Sequence, residues 1–218
     1  MQSLYSFLPN REGNLAQEID FFKKSYFNTF SLYLTLLAFL KSTYEHALGL
    51  KDLQKKLRTK KNCEQSRSLE GNKILQFIAK HPILVNHINK RKIKFWELDF
   101  DYVKSNFKTL AESKKYHEYS QKENPSVEED RDIITFFYKE VVAPSVGFYD
   151  YIEDKELTWI DDLPVVNTFI LRILQKIDPK NPNSLSFPKM NIEDEDPRFA
   201  IELLEKVVVN NDALQKEM

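Results

Sequence analysis

Residues 21–48, FFKKSYFNTFSLYLTLLAFLKSTYEHAL, form a long stretch without Gly or Pro and the most apolar in the chain. Phe22, Tyr26, Phe30, Tyr33, Leu34, Leu37 and Leu40 recur at steps of three and four, the spacing that puts side chains on one face of an α-helix. Leu32, Leu36 and Phe39 add apolar side chains to the opposite face. A helix that is apolar on nearly all sides has to be covered by several partners, so it is expected to be the central helix of the domain. A membrane span is the competing explanation, and it needs roughly 20 mainly apolar residues. Here Asn28, Thr29, Ser31 and Thr35 interrupt the run while Lys23, Lys24 and Lys41 bound it, which sets a span aside. Gly49 supplies a residue tolerant of the left-handed conformation and is expected to end the helix.

The remaining composition points the same way. With 218 residues, 42% of them hydrophobic and 13% aromatic, the chain can bury a substantial core, which excludes disorder throughout. Only 4 Gly are present, too few for Gly-rich nucleotide folds and uncharacteristic of β-sandwiches, so the expected fold class is all-α. Lys and Arg total 32 against 33 Asp and Glu, so any polyanion site must be a local patch rather than a property of the whole surface. The single Cys63 cannot form an internal disulfide, and Met1 is not followed by a basic-then-apolar leader. Both features favour a cytoplasmic protein.

Along the chain, Leu4, Tyr5 and Leu8 stand at helical spacing before a Pro9-Asn10-Gly13 turn, and the central helix is expected to start near Asn14 or Leu15. After Gly49 a short helix should bury Leu50, Leu53 and Leu57, and residues 62–70 read as loop. Residues 72–80 read as helix broken by Pro82, with another turn or two over 83–88. Phe95, Trp96, Leu98 and Phe100 form a dense apolar group that pins this excursion to the core. A helix over 99–113 follows, and residues 114–124 read as exposed and polar. Ser126 and Glu129 have the spacing of a capping box, opening a helix that buries Ile133, Ile134, Phe137, Tyr138, Val141 and Val142 and stops before Pro144. Ser145 is a candidate cap for the next helix. Asp161 or Asp162 is a candidate for the one after, with Pro164 in its first turn. Residues 178–195 read as the longest loop, and Asp196-Pro197 as the start of a helix burying Phe199, Leu203 and Val207 with the neighbouring Ile201, Leu204 and Val208. The segments beginning at Asp130 and Asp196 share a cap, an apolar helix and a Val-Val end, which two copies of a helical hairpin explain without a repeat architecture.

The chemistry-bearing motifs are sparse. His46, His81, His87 and His117 lack the spacing of a helical metal pair and Cys63 lacks a Cys-x-x-Cys partner, so no metal or other cofactor is expected. No phosphate loop, nucleophile elbow or dinucleotide turn is present, so an enzyme is not expected either. Two basic clusters, at 51–61 and 90–94, have the charge to neutralise RNA phosphates. Single-stranded RNA sites usually add exposed aromatics, and the nearest ones, Phe95 and Trp96, read as core. Charge alone therefore favours a solvated helix face and a solvated loop.

A family resemblance carries the functional expectation. MQSLYSF, at residues 1–7, followed by a turn and a long helix, resembles the first helix of the NusB transcription antitermination factors, where a V-Q-A-L-Y-S-W-like stretch follows a basic arm. FAIELLEKVVVNNDAL, at residues 199–214, is similar to a later helix of that family with the form F-x-x-x-L-x-x-x-V-x-x-N. FFYKEVVAPSVGFYDYI and WIDDLPVVNTFIL resemble an expanded subgroup with a long helical insertion. The resemblance implies a NusB-like helical bundle in which residues 1–49 form an N-terminal hairpin, 50–195 the insertion and 196–218 further core helices. It implies binding of boxA-like single-stranded RNA with the ribosomal protein NusE, within an RNA polymerase antitermination complex, and no catalysis. A helical protein-interaction module without RNA binding is the alternative. Gln2 and Tyr5 are the residues carried over as RNA or partner contacts. The family's basic arm would precede Met1 and its last helices would follow Met218, so the chain reads as a fragment.

Overall fold

The computed structural model describes residues 15–57, 69–188 and 195–209. Every regular element among these residues is helical and none is a strand, so the fold is all-α. The chain divides into two compact units, residues 31–187 and residues 1–30 with 188–218.

Helix α1, Leu15–Leu57, contributes its first part to the smaller unit and the remainder to the larger one. In the larger unit every side chain from Leu32 to Leu40 is buried, as expected of a helix apolar on all sides. A fully buried Leu or Phe contributes about 2 kcal/mol of transfer free energy, which makes this segment the centre of the core. Phe39 meets the rings of Trp96, Phe137 and Phe148 at centroid distances of 5.0, 6.3 and 5.2 Å. The hydroxyls that interrupt the apolar run satisfy themselves locally: Thr35 donates to the Ser31 carbonyl and Thr43 to the Phe39 carbonyl. No described helix is long and apolar enough to cross a membrane.

Gly49 does not end α1. It has no positive φ, a Cβ there would meet open space, and the helix runs on through the segment expected to be separate. Good helix formers on both sides outweigh the roughly 1 kcal/mol cost of Gly in a helix interior. Leu53, expected inward, is 57% exposed.

The larger unit continues with α2 (Lys73–Lys80), α3 (Pro82–Arg91), α4 (Phe95–Leu98), α5 (Phe100–Ala111) and α6 (Lys114–Ser120). They are followed by α7 (Val127–Phe136), a π-helical turn (Phe137–Val142), α8 (Val146–Lys155) and α9 (Trp159–Lys176). Helix α7 packs against α2, α6 and α9. Its capping box forms as expected, with Ser126 Oγ accepting from the Glu129 N–H and Glu129 accepting from the Ser126 N–H. The π turn continues α7 up to the residues before Pro144, and all six apolar residues expected inward are buried. Pro82 ends α2 and becomes the first residue of α3.

Several local expectations are corrected. Residues 114–120 form a helix capped by Ser113, because Tyr116 and Tyr119 are buried despite the polar residues around them. Helix α9 begins at Trp159 rather than after Asp161 or Asp162, so Pro164 lies inside it. Ser145 holds the cap position of α8 but its hydroxyl makes no capping bond. Asp130 is a buried residue within α7, not its cap. Leu98 is 80% exposed and stands outside the apolar group that Trp96 anchors.

In the smaller unit, α10 (Glu195–Val209) begins ahead of the Asp196-Pro197 pair. It buries Leu204, as expected, and Pro197, while Phe199 and Leu203, also expected inward, are 65% and 47% exposed. Positions 197, 201 and 204 share a helical face by their spacing, and 199 and 203 lie on another.

Candidate nucleic-acid interface

Helix α3 ends in a turn that presents Lys90, Arg91, Lys92 and Lys94, all exposed. The backbone makes a Schellman-type stop: the Lys92 N–H donates to the Asn89 carbonyl at 3.2 Å and the Ile93 N–H reaches back to Ile88 at 3.0 Å. Ile88 and Ile93, the apolar pair that accompanies such a stop, are both buried. Lys92 has φ 53° and ψ 40°, the one left-handed non-Gly residue among the described residues. An L-side chain there costs roughly 1 kcal/mol, which Gly would avoid.

The far side of the turn is fixed just as firmly. The Lys94 carbonyl accepts from the Glu97 and Leu98 N–H groups at 3.1 and 3.2 Å, opening α4. Trp96 is buried, stacks on Phe148 at 5.3 Å and donates its indole N–H to the Thr35 carbonyl at 2.7 Å. Arg91 bonds Ser31 Oγ of α1 at 3.0 Å. The cations thus stand on an ordered frame.

Lys90, Lys92 and Lys94 make no ion pair among the described residues, and Glu97 is the only carboxylate between Ile88 and Leu98. The field is felt by His87, whose imidazole is held below its usual range by partial burial and then by Arg91 and Lys90. Lys90 and Arg91 suit the negative end of the α3 dipole. Lys92 and Lys94 lie beyond the helix and have no such local use. Phe95, next to Lys94, is half-buried with its ring perpendicular to Trp159 at 6.0 Å, so the core reading holds for Trp96 and only partly for Phe95.

The other cluster is less available. Lys51 pairs with Glu70 at 3.0 Å, and residues 58–61 lie outside the described residues. Gln2, Tyr5 and Cys63 also lie outside them. A groove of about 680 Å³ is lined by His46, Leu50, Leu53 and Phe100 among others. Partial burial and then Lys104 hold the His46 imidazole low.

The polar chemistry elsewhere serves packing. Asp130 is fully buried, accepts from Tyr119 Oη at 2.6 Å and from the Lys73 N–H at 2.9 Å, and so stitches α7 to α6 and α2. Asn72 caps α2 and donates to the Asp130 carbonyl and to Tyr119 Oη. Tyr138 donates to Asn167 at 2.6 Å, and burial raises its phenol well above the usual value. The buried Tyr151 and the exposed Lys155 both donate to Asp99, at 2.8 and 3.1 Å, and these bonds hold the Asp99 carboxyl low. Sequence marks Tyr138 only as inward and Asp130 only as a cap, because the partners that define their roles lie 11 to 58 residues away. Among the described residues no cluster of His, Cys, Asp and Glu could hold a metal ion.

Comparison with protein families, with curated proteins and with solved structures finds no match.

Proposed function

We propose that the protein is a non-catalytic transcription antitermination factor of NusB type that acts in the cytoplasm. It binds boxA-like single-stranded RNA together with the ribosomal protein NusE, as part of an RNA polymerase antitermination complex. The observation that carries this reading is the occurrence of MQSLYSF and FAIELLEKVVVNNDAL in one chain whose regular elements, among the described residues, are all helices. An exposed cationic turn, whose Lys90, Lys92 and Lys94 make no ion pair among the described residues, is compatible with an RNA partner.

Gln2 and Tyr5 are three residues apart, the spacing that would place them on one face of a helix, with Leu4 and Leu8 left for the other. In this reading that first face meets RNA or NusE. Tyr5→Ala is expected to weaken the complex with boxA-like RNA and NusE while leaving the urea midpoint of the chain unchanged. A variant that loses stability and no affinity beyond it makes Tyr5 a core residue and contradicts the assignment.

The exposed Phe199 and Leu203 favour a second reading, a helical module that contacts only another protein. It is distinguished by retained NusE capture with no RNA binding at low salt.

A further inference from the structure

We infer that the turn formed by Lys90, Lys92 and Lys94 is a second RNA contact, one that tracks the phosphates of a single strand and lies within the insertion rather than at Gln2 and Tyr5. The inference rests on the RNA-binding reading above and adds a site to it.

Three observations converge. The lysines are exposed and make no ion pair among the described residues, so no described carboxylate competes with a phosphate. The frame beneath them is ordered, through the backbone stop at Ile93, the Trp96 indole bond to Thr35 and the Arg91 bond to Ser31. Holding the backbone in advance lowers the entropy lost on binding. Lys92 keeps a cation at a left-handed position where Gly would be less strained. Strain of this kind marks positions where function and stability compete.

The spacing also limits the ligand. Lys90, Lys92 and Lys94 lie at alternate positions across a helix end, a turn and the next helix cap, so they do not form one stripe along a helix. A short arc of charge fits two or three consecutive phosphates of a flexible strand. The half-buried Phe95 beside it provides an apolar edge. An acidic protein surface is the alternative partner, and the test below separates the two.

The test titrates the full chain, with NusE present, against a short boxA-like single-stranded RNA over a range of salt concentrations. Two variants are compared with the unaltered chain. In the first, Lys90→Gln, Lys92→Gln and Lys94→Gln are combined, which is expected to make the slope of log affinity against log salt shallower by about 2, at roughly 0.7 per phosphate contact on a single strand. In the second, Lys92→Gly is expected to hold or raise the urea midpoint while lowering RNA affinity a few-fold, since it removes strain and charge together. Opposite movements of stability and affinity exclude a purely structural role.

Unchanged slopes in both variants, with the unaltered chain binding RNA, overturn the inference and leave the antitermination reading standing. Weakened NusE capture with an unchanged RNA slope overturns it in favour of a protein-facing turn. No RNA binding by the unaltered chain overturns both.

Discussion

Asp130 and its partners show how much of this protein depends on single buried groups. Asp130→Ala would leave the Tyr119 hydroxyl and the Lys73 N–H without their acceptor, so a loss of about 3 kcal/mol is expected in urea denaturation. Tyr119→Phe removes one of those bonds and should cost about 1–2 kcal/mol. An Asp130→Ala loss below that of Tyr119→Phe would contradict the hub. The histidines give a pH dependence. His46 and His87 are both less basic in the folded chain than the usual 6.5, chiefly through burial. Below that pH the unfolded chain takes up more protons, so stability is full above it and declines as pH falls through the depressed values. Urea midpoints at about pH 7.5 and about pH 5.5 should differ in that direction. His46→Gln combined with His87→Gln should flatten the difference, and an undiminished pH dependence in that variant would assign it to other groups. Sequence marks Asp130 as a cap, a role its place inside α7 excludes. What decides its role is Asn72, Tyr119 and Lys73 arriving from other elements.

At the scale of elements, local chemistry was legible where it closed within a few residues. Ser126 and Glu129 satisfy each other across one turn, and so the start of α7 could be read directly. Ser126→Ala should cost about 1 kcal/mol, measured against the same Ala change at Ser145, whose hydroxyl makes no capping bond and whose loss should cost less. Equal losses at the two sites would contradict the assignment of the caps. Gly49 was misread because a Gly after an apolar run has the pattern of a helix end. Its helical backbone and open surroundings mean that Gly49→Ala should stabilise by about 0.5–1 kcal/mol. A destabilised variant would indicate that α1 does terminate there. Helix α6 was hidden by the reverse problem, since Lys114, Lys115, His117 and Glu118 surround the two tyrosines that it buries. Along α10 hydrophobicity alone marks Phe199, Leu203 and Leu204 alike as inward, and only Leu204 of the three is buried, because apolar residues outnumber the positions one face can cover.

For the whole molecule, the central apolar helix predicted the class of fold, because a side chain set that is apolar all round admits only a covered position. The 90–94 turn was visible as charge, but its availability was not, since exposure, pairing and the Lys92 backbone depend on tertiary contacts. The direct measurement of the central claim is a titration of the chain with NusE against a boxA-like strand and against a scrambled strand of equal length, both single-stranded RNA, at one moderate salt concentration. An antitermination factor of NusB type should bind the boxA-like strand more tightly, and NusE should increase that preference. Equal affinity for the two strands with and without NusE, or no binding to either, would contradict it.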